Sequence, residues 1–227
     1  MTDAGTGRRY GAGVERLHGL EVPSTLADVC RPDRLALVVY DMQEGILNQI
    51  DDRDRVVARV GEVLDLARGT GIRTLFTRHI TLPVELMGSA QLRMWRSWQQ
   101  VDRLEDVRSP FPPEAPQTQI VSELAPTSRE AVLDKLTLSA FAGTPLELVL
   151  RGSAVNAVAV VGVALEIGVE PTVRHAGDLG FVPVVITDAC GAGDAVAGAR
   201  ALETLKFLGE ALLTDVAGFR VAVAGGR

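Results

Sequence analysis

Cysteine is scarce in this chain: two residues, Cys30 and Cys190, among 227. Two thiols so far apart build neither a disulfide framework nor a zinc site. Long apolar runs are missing too. The longest, Ala154 to Leu165, carries Asn156 and falls short of the ~20 residues a bilayer-spanning helix needs. Positive charge is in deficit, with 23 Lys and Arg against 29 Asp and Glu for a net charge of −6. That balance leaves no concentrated basic face, which argues against nucleic acid and anionic membranes as partners. Arg8 and Arg9 are followed by no apolar stretch, so no signal peptide is expected. No internal repeat and no compositionally disordered segment is visible. The expectation is a soluble, cytoplasmic protein.

Present instead are the length and hydrophobic content of one α/β domain. A composition of 47% hydrophobic and 23% charged residues is globular and can bury a substantial core. Leu35 to Tyr40 is a continuous apolar run of strand length, the signature of a strand covered on both faces. Val56, Val57, Val60, Val63, Leu64 and Ala67 recur at helical spacing, closed by Gly69 and Gly71. Further strands are expected at 72–76, 131–134, 156–163, 183–187 and 211–214. Helices are expected at 83–100, 145–151, 166–179 and 195–208, with a proline-rich turn segment over 109–116. Such alternation implies right-handed crossovers and a three-layer α/β/α fold around a mostly parallel central sheet. Residues 1–30, with glycine and proline, read as an arm laid over the body or over a neighbouring subunit. Residues 31–227 form the single domain.

Parallel sheets bind ligands beyond the carboxyl ends of their strands. The candidates are therefore Asp41, Arg78 and His79, Lys135, Ala164 to Gly168, and Asp188 to Asp194. Asp41 follows an apolar strand directly, so its carboxylate emerges among apolar neighbours, a setting that suits proton transfer. Its competing role is a helix N-cap. An ammonium at Lys135 beside Asp41 would keep that carboxylate ionised or polarise a substrate; a solvated surface lysine is the alternative.

Asp41-Met-Gln43 after the first strand, Asp134-Lys135 followed by Ser139-Ala-Phe141, the run Gly162-Val-Ala-Leu-Glu-Ile-Gly-Val-Glu-Pro-Thr172, and Thr187-Asp-Ala-Cys190 occur in order. Together they resemble the isochorismatase-like hydrolases over roughly residues 33 to 216. In most of that family, nicotinamidases and carbamoyl or ureido amidohydrolases among them, an Asp–Lys–Cys triad hydrolyses amides. The resemblance implies Asp41 and Lys135 for the first two members and puts Gly168 where the cysteine stands. Without a thiol there, acyl-enzyme chemistry is closed at that position. Cys190 belongs to the next strand end and reads as a small buried hydrophobe.

Members with glycine at this position, the isochorismatases proper and a related phenazine-pathway enzyme, hydrolyse a vinyl ether and release pyruvate. On that resemblance Asp41 is the general acid and Lys135 supports it. Gly168 makes room for substrate and leaves helix-start N–H groups free to face an anion. Ala164 and Leu165 border the substrate, Phe141 packs over the pocket, and Gln91 and Arg93 line it, the arginine suiting a carboxylate. Trp95 and Trp98 lie in the same stretch, where core or subunit interface is the competing role. No Asp/His cluster completes a metal site around His79, so neither metal nor other cofactor is expected. Glu166 reads as a first-turn helix residue. The expected partners are a small-molecule substrate and further copies of the chain, as a dimer or tetramer.

Three other functions compete. One is hydrolysis of a small amide or ureido compound by activated water. Another is a catalytically inactive member serving as a binding or scaffold subunit. The last is a sugar kinase, because Gly191-Ala-Gly-Asp194 resembles the ribokinase signature; no second kinase signature accompanies it, and Asp194 reads better as a helix N-cap.

Overall fold

The computed structural model describes residues 14–226, so most of the expected arm, residues 1–13, lies outside the described residues. Strands β1 (Glu15–Leu17) and β2 (Leu20–Val22) pair as a hairpin. Its tip, His18-Gly19, has positive φ at both residues, the turn that matches strand twist. Thr25 and Asp28 cap helix α1 (Leu26–Val29) reciprocally. The body continues through β3 (Leu35–Tyr40), α2 (Glu44–Leu47), α3 (Arg53–Thr70), β4 (Arg73–His79) and α4 (Ser89–Trp98). It ends with β5 (Ala131–Lys135), α5 (Leu146–Gly152), β6 (Ala157–Gly162), α6 (Glu170–Asp178), β7 (Val182–Cys190), α7 (Ala195–Leu208), β8 (Leu212–Thr214) and α8 (Val216–Gly225).

Six of these strands form one parallel sheet in the order β5-β4-β3-β6-β7-β8. Every residue of β3 is buried, which is why its sequence is uniformly apolar. Leu35, Leu37 and Val39 pack with α3 and α8; Ala36, Val38 and Tyr40 pack with α5, α6 and α7. The three-layer α/β/α expectation describes this architecture. The strand order reverses between β3 and β6, so a crevice opens beyond the carboxyl ends of those two strands. Asp41 follows one of them, and Val163 and Ala164 follow the other. Gly162 closes the pairing of β6 with β3 at Tyr40; with φ at 121°, its missing Cβ would overlap the Tyr40 carbonyl oxygen.

Several features depart from expectation, the β1–β2 hairpin, α1 and α2 among them. The 83–100 helix is a 3₁₀ turn at Val84–Leu86 and a separate α4, broken at Met87 and Gly88. The 166–179 helix opens with a single π-helical turn, Leu165–Val169, before α6 begins. Helix α8 is unexpected, its Val and Gly residues being weak helix formers that offset its alanines. Val29 and Cys30 lie in the core and α1 packs on α8, so the body starts before residue 31.

Candidate active site

The backbone of Asp41 leaves β3 with φ at 47°, a left-handed conformation few non-glycine residues adopt. At that turn Asp41 borders the cavity at the crevice. Thr77, on the neighbouring β4, holds it from both sides. The threonine hydroxyl accepts from the Asp41 N–H at 3.2 Å and donates to Asp41 Oδ1 at 2.6 Å. The other carboxylate oxygen, Oδ2, accepts from Lys135 Nζ at 2.6 Å. Lys135 ends β5, one strand beyond β4, opposite His79 in the register. Its ammonium also donates to the Thr137 carbonyl at 3.1 Å and lies 4.4 Å from the Tyr40 ring centroid. Both charges are desolvated, with side-chain exposures of 0% for Lys135 and 5% for Asp41.

Burial pulls the Lys135 ammonium below its usual range, and the Asp41 charge resists that shift. His79 is pulled down to about 4, first by burial and then by the Lys135 charge, so its imidazole is neutral near pH 7. The phenol of Tyr40 is pushed well above its usual range by burial, with the Asp41 charge adding to the effect. Its hydroxyl donates to the Leu138 carbonyl.

These groups border a cavity of about 120 Å³. Tyr40, Asp41, His79 and Lys135 supply its polar side; Trp95, Trp98 and Phe111 form an aromatic wall, and Val163, Ala164 and Ile167 complete it. The rings of His79, Trp95 and Phe111 lie within 6.2 Å of one another, centroid to centroid. Trp98, half exposed, stands edge-on to Trp95. Wider depressions along α3 and α7 hold no buried titratable group.

Gly168 lies in the π-helical turn beside this cavity, and Tyr40 occupies the room next to it. A Cβ at position 168 would overlap the Tyr40 hydroxyl and Cζ and come within 2.5 Å of Cε1. The space expected for substrate at this glycine is therefore filled by a phenol. The expected free N–H groups are also spent. Ile167, Gly168 and Val169 all donate to the Ala164 carbonyl, and Leu165 donates to that of Gly191. The π-helical geometry converges those donors on one acceptor.

Residues 35–217 match the isochorismatase domain family. The chain belongs to the isochorismatase family. It is 32% identical over 172 residues to the uncharacterized isochorismatase family protein YecD of Escherichia coli O157:H7, covering 70% of this chain and 81% of that protein. It is 27% identical over 178 residues to the ureidoacrylate amidohydrolase RutB of Pseudomonas syringae pv. syringae, covering 70% and 71%. The fold superposes on a cysteine hydrolase from Pseudomonas syringae pv. phaseolicola with a TM-score of 0.74, at 23% identity over 87% of this chain and 95% of the other. The chain is thus an isochorismatase-family hydrolase.

In this hydrolase the remaining expected site residues divide. Ala164 lines the cavity. Leu165 turns into the core, and Phe141 stacks on Phe181 in the same cluster beside His175, so neither faces the cavity. Gln91 is spent on its own helix, its side chain accepting from the Gly88 N–H, and Arg93 is exposed. Neither borders the cavity, because the apolar stripe of α4 turns Trp95 and Trp98 inward instead. Of the two roles open to the tryptophans, pocket lining and core, Trp95 fills both, buried in a cluster with Phe111 and bordering the cavity, and Trp98 lines the cavity half exposed. Among the described residues no cluster of three His, Cys, Asp or Glu is placed to hold a metal.

Both cysteines are buried, their thiols pushed up to about 12 by desolvation. Asp194 caps α7 through the Ala197 N–H at 2.7 Å. Its loop is held by Glu166, whose Oε1 accepts from the N–H groups of Gly193 and Asp194. The kinase-like glycine turn is therefore a helix start braced by a carboxylate.

Sequence reasoning missed Thr77, Tyr40, Phe111 and the part played by Gln43. The buried Gln43 amide donates to the carbonyls of His79 and Thr118 and accepts from the His79 N–H at 2.6 Å. It ties the Asp-Met-Gln segment to the strand end carrying His79. A glutamine two residues after a site carboxylate was the available signal; Tyr40, inside an apolar strand, and Phe111, inside a proline-rich turn, carried none.

Proposed function

We propose that this hydrolase cleaves its substrate without a covalent thiol intermediate, using Asp41 as acid and base and Lys135 as its electrostatic partner. The substrate class is a small vinyl ether of the isochorismate type, cleaved to an alcohol and pyruvate. One observation carries the reading: the desolvated Asp41–Lys135 pair borders the cavity, while position 168 has no side chain and both cysteines are buried and protonated. The pair suits proton transfer, since a lysine whose proton is loosened by burial donates to Asp41 Oδ2 across 2.6 Å. With that shared proton on Asp41, the carboxyl delivers it to the terminal vinyl carbon. The resulting oxocarbenium ion faces a carboxylate, as charge development requires. Water adds to the cation and returns a proton to the pair, and the hemiketal collapses to alcohol and ketone. The aromatic wall of Trp95, Trp98 and Phe111 suits a flat ring.

Amide hydrolysis by water activated at Asp41 is the second reading, favoured by the similarity to RutB. The test is to offer the full chain isochorismate and ureidoacrylate in parallel, following pyruvate and ammonia. Pyruvate release from isochorismate supports the vinyl-ether reading. Ammonia release from ureidoacrylate with no pyruvate from isochorismate overturns it.

A further inference from the structure

Tyr40 sits at the one point in the fold where three relationships meet. Its backbone ends β3 against Gly162, its ring face carries the Lys135 ammonium at 4.4 Å, and its ring edge fills the volume of the side chain that residue 168 lacks. The ring therefore stands between Lys135 and the π-helical turn. Its hydroxyl is committed to the Leu138 carbonyl, on a segment that also lines the cavity. A phenol so placed is fixed at both ends and cannot swing aside without breaking the seat of Lys135.

We infer that Tyr40 is a specificity-determining residue that takes the place of a nucleophile: it occupies the side-chain space of position 168, makes glycine obligatory there, and keeps the site in its thiol-free form. This deepens the reading of a cysteine-free hydrolase, on which it rests. Two consequences separate it from simple core filling. A cysteine introduced at 168 alone has no place to stand. A cysteine introduced together with a smaller residue at 40 enters the vacated space, facing Lys135, whose charge favours the thiolate. The exchange roughly conserves volume, since the thiol side chain replaces what the phenol gives up.

The experiment compares Gly168→Cys with Tyr40→Val/Gly168→Cys in the full chain, reading thermal melting and the rate of alkylation by iodoacetamide between pH 6 and 9. Cys30 and Cys190 are buried and protonated throughout that range, so the native background is silent. Overpacking in Gly168→Cys is expected to lower the melting midpoint by roughly 5–10 °C, and the Tyr40→Val change to recover at least half of that loss. In the double variant the alkylation profile is expected to have its midpoint below the ~8.5 of an ordinary thiol. Adding Lys135→Met should move that midpoint back up. The inference is overturned if Gly168→Cys melts with the unmodified chain. It is equally overturned if the double variant melts no higher than Gly168→Cys, or if its thiol titrates as an ordinary one. None of these readouts uses turnover, so a negative result with isochorismate leaves this outcome independent.

Discussion

Lys135 Nζ donates to Asp41 Oδ2 across 2.6 Å, and neither side chain is open to solvent. The two come from strand ends 94 residues apart in sequence, separated in the sheet by β4 alone. β4 contributes Thr77, whose hydroxyl fixes the other carboxylate oxygen. A pair buried this deeply adds little to stability as a pair, but severing it strands a charge. Lys135→Met is therefore expected to lower unfolding free energy by roughly 3–5 kcal/mol, measured by urea denaturation. Asp41→Leu/Lys135→Met should cost less than Lys135→Met alone. If the double variant instead costs the sum of the two single changes, the side chains are not coupled.

His79 gives the protein an acid-sensitive side. Its imidazole is held down to about 4 in the folded chain by burial and by Lys135, with Asp41 opposing, against ~6.5 when unfolded. As pH falls through the interval between those values, the unfolded chain takes up a proton that the folded chain refuses. Stability fully present above pH ~6.5 is thus lost toward pH 4, by roughly 3 kcal/mol from this residue. Urea denaturation of the unmodified chain and His79→Gln at pH 7 and pH 4 measures it: the variant should lose that much less. Equal losses in the two proteins would show that His79 does not sense the cavity as described.

The buried cysteines are expected to be spectators. Native protein held with iodoacetamide at pH 8 should stay unlabelled by mass spectrometry, and Cys30→Ala/Cys190→Ala should keep turnover within about twofold, both thiols being buried and neither residue lining the cavity. Labelling that abolishes activity would restore a thiol mechanism.

Trp98 stands half exposed at the cavity, edge-on to buried Trp95. Removing the ring in Trp98→Ala should raise KM by roughly 2–10-fold, the worth of one aromatic contact, with kcat little changed. A fall in kcat with KM unaltered would place Trp98 in the chemistry and not in the wall.

How far the sequence alone reaches can be seen residue by residue. The apolar run Leu35–Tyr40 reads as a doubly covered strand because that burial demands a uniform pattern. Asp41 stands out because charge directly after an apolar strand is conspicuous; Lys135, preceded by Asp134 on a mixed strand, stands out only through the family resemblance. Gly168 stands out because four motifs fix its place in order. Tyr40 is invisible for the same reason its strand is legible: within an apolar run, a tyrosine looks like packing. Thr77 and Gln43 act through hydrogen bonds between elements far apart in sequence, which no local period encodes. Gln91 and Arg93 are implied as pocket residues by the family resemblance, yet the rotation of α4 turns Trp95 inward and Arg93 out. Helix α8 escapes notice because its Val and Gly residues are weak helix formers, although Asp215, accepting from the Gly218 N–H, caps it.

The account rests on Asp41 acting on substrate where no thiol can. The most direct test is the rate of pyruvate release from isochorismate by Asp41→Asn, with folding confirmed by circular dichroism. Loss of an acid–base group predicts a fall of roughly 10²–10⁴-fold relative to the unmodified chain. A variant that keeps its fold and releases pyruvate within about tenfold of the unmodified rate would contradict the assignment.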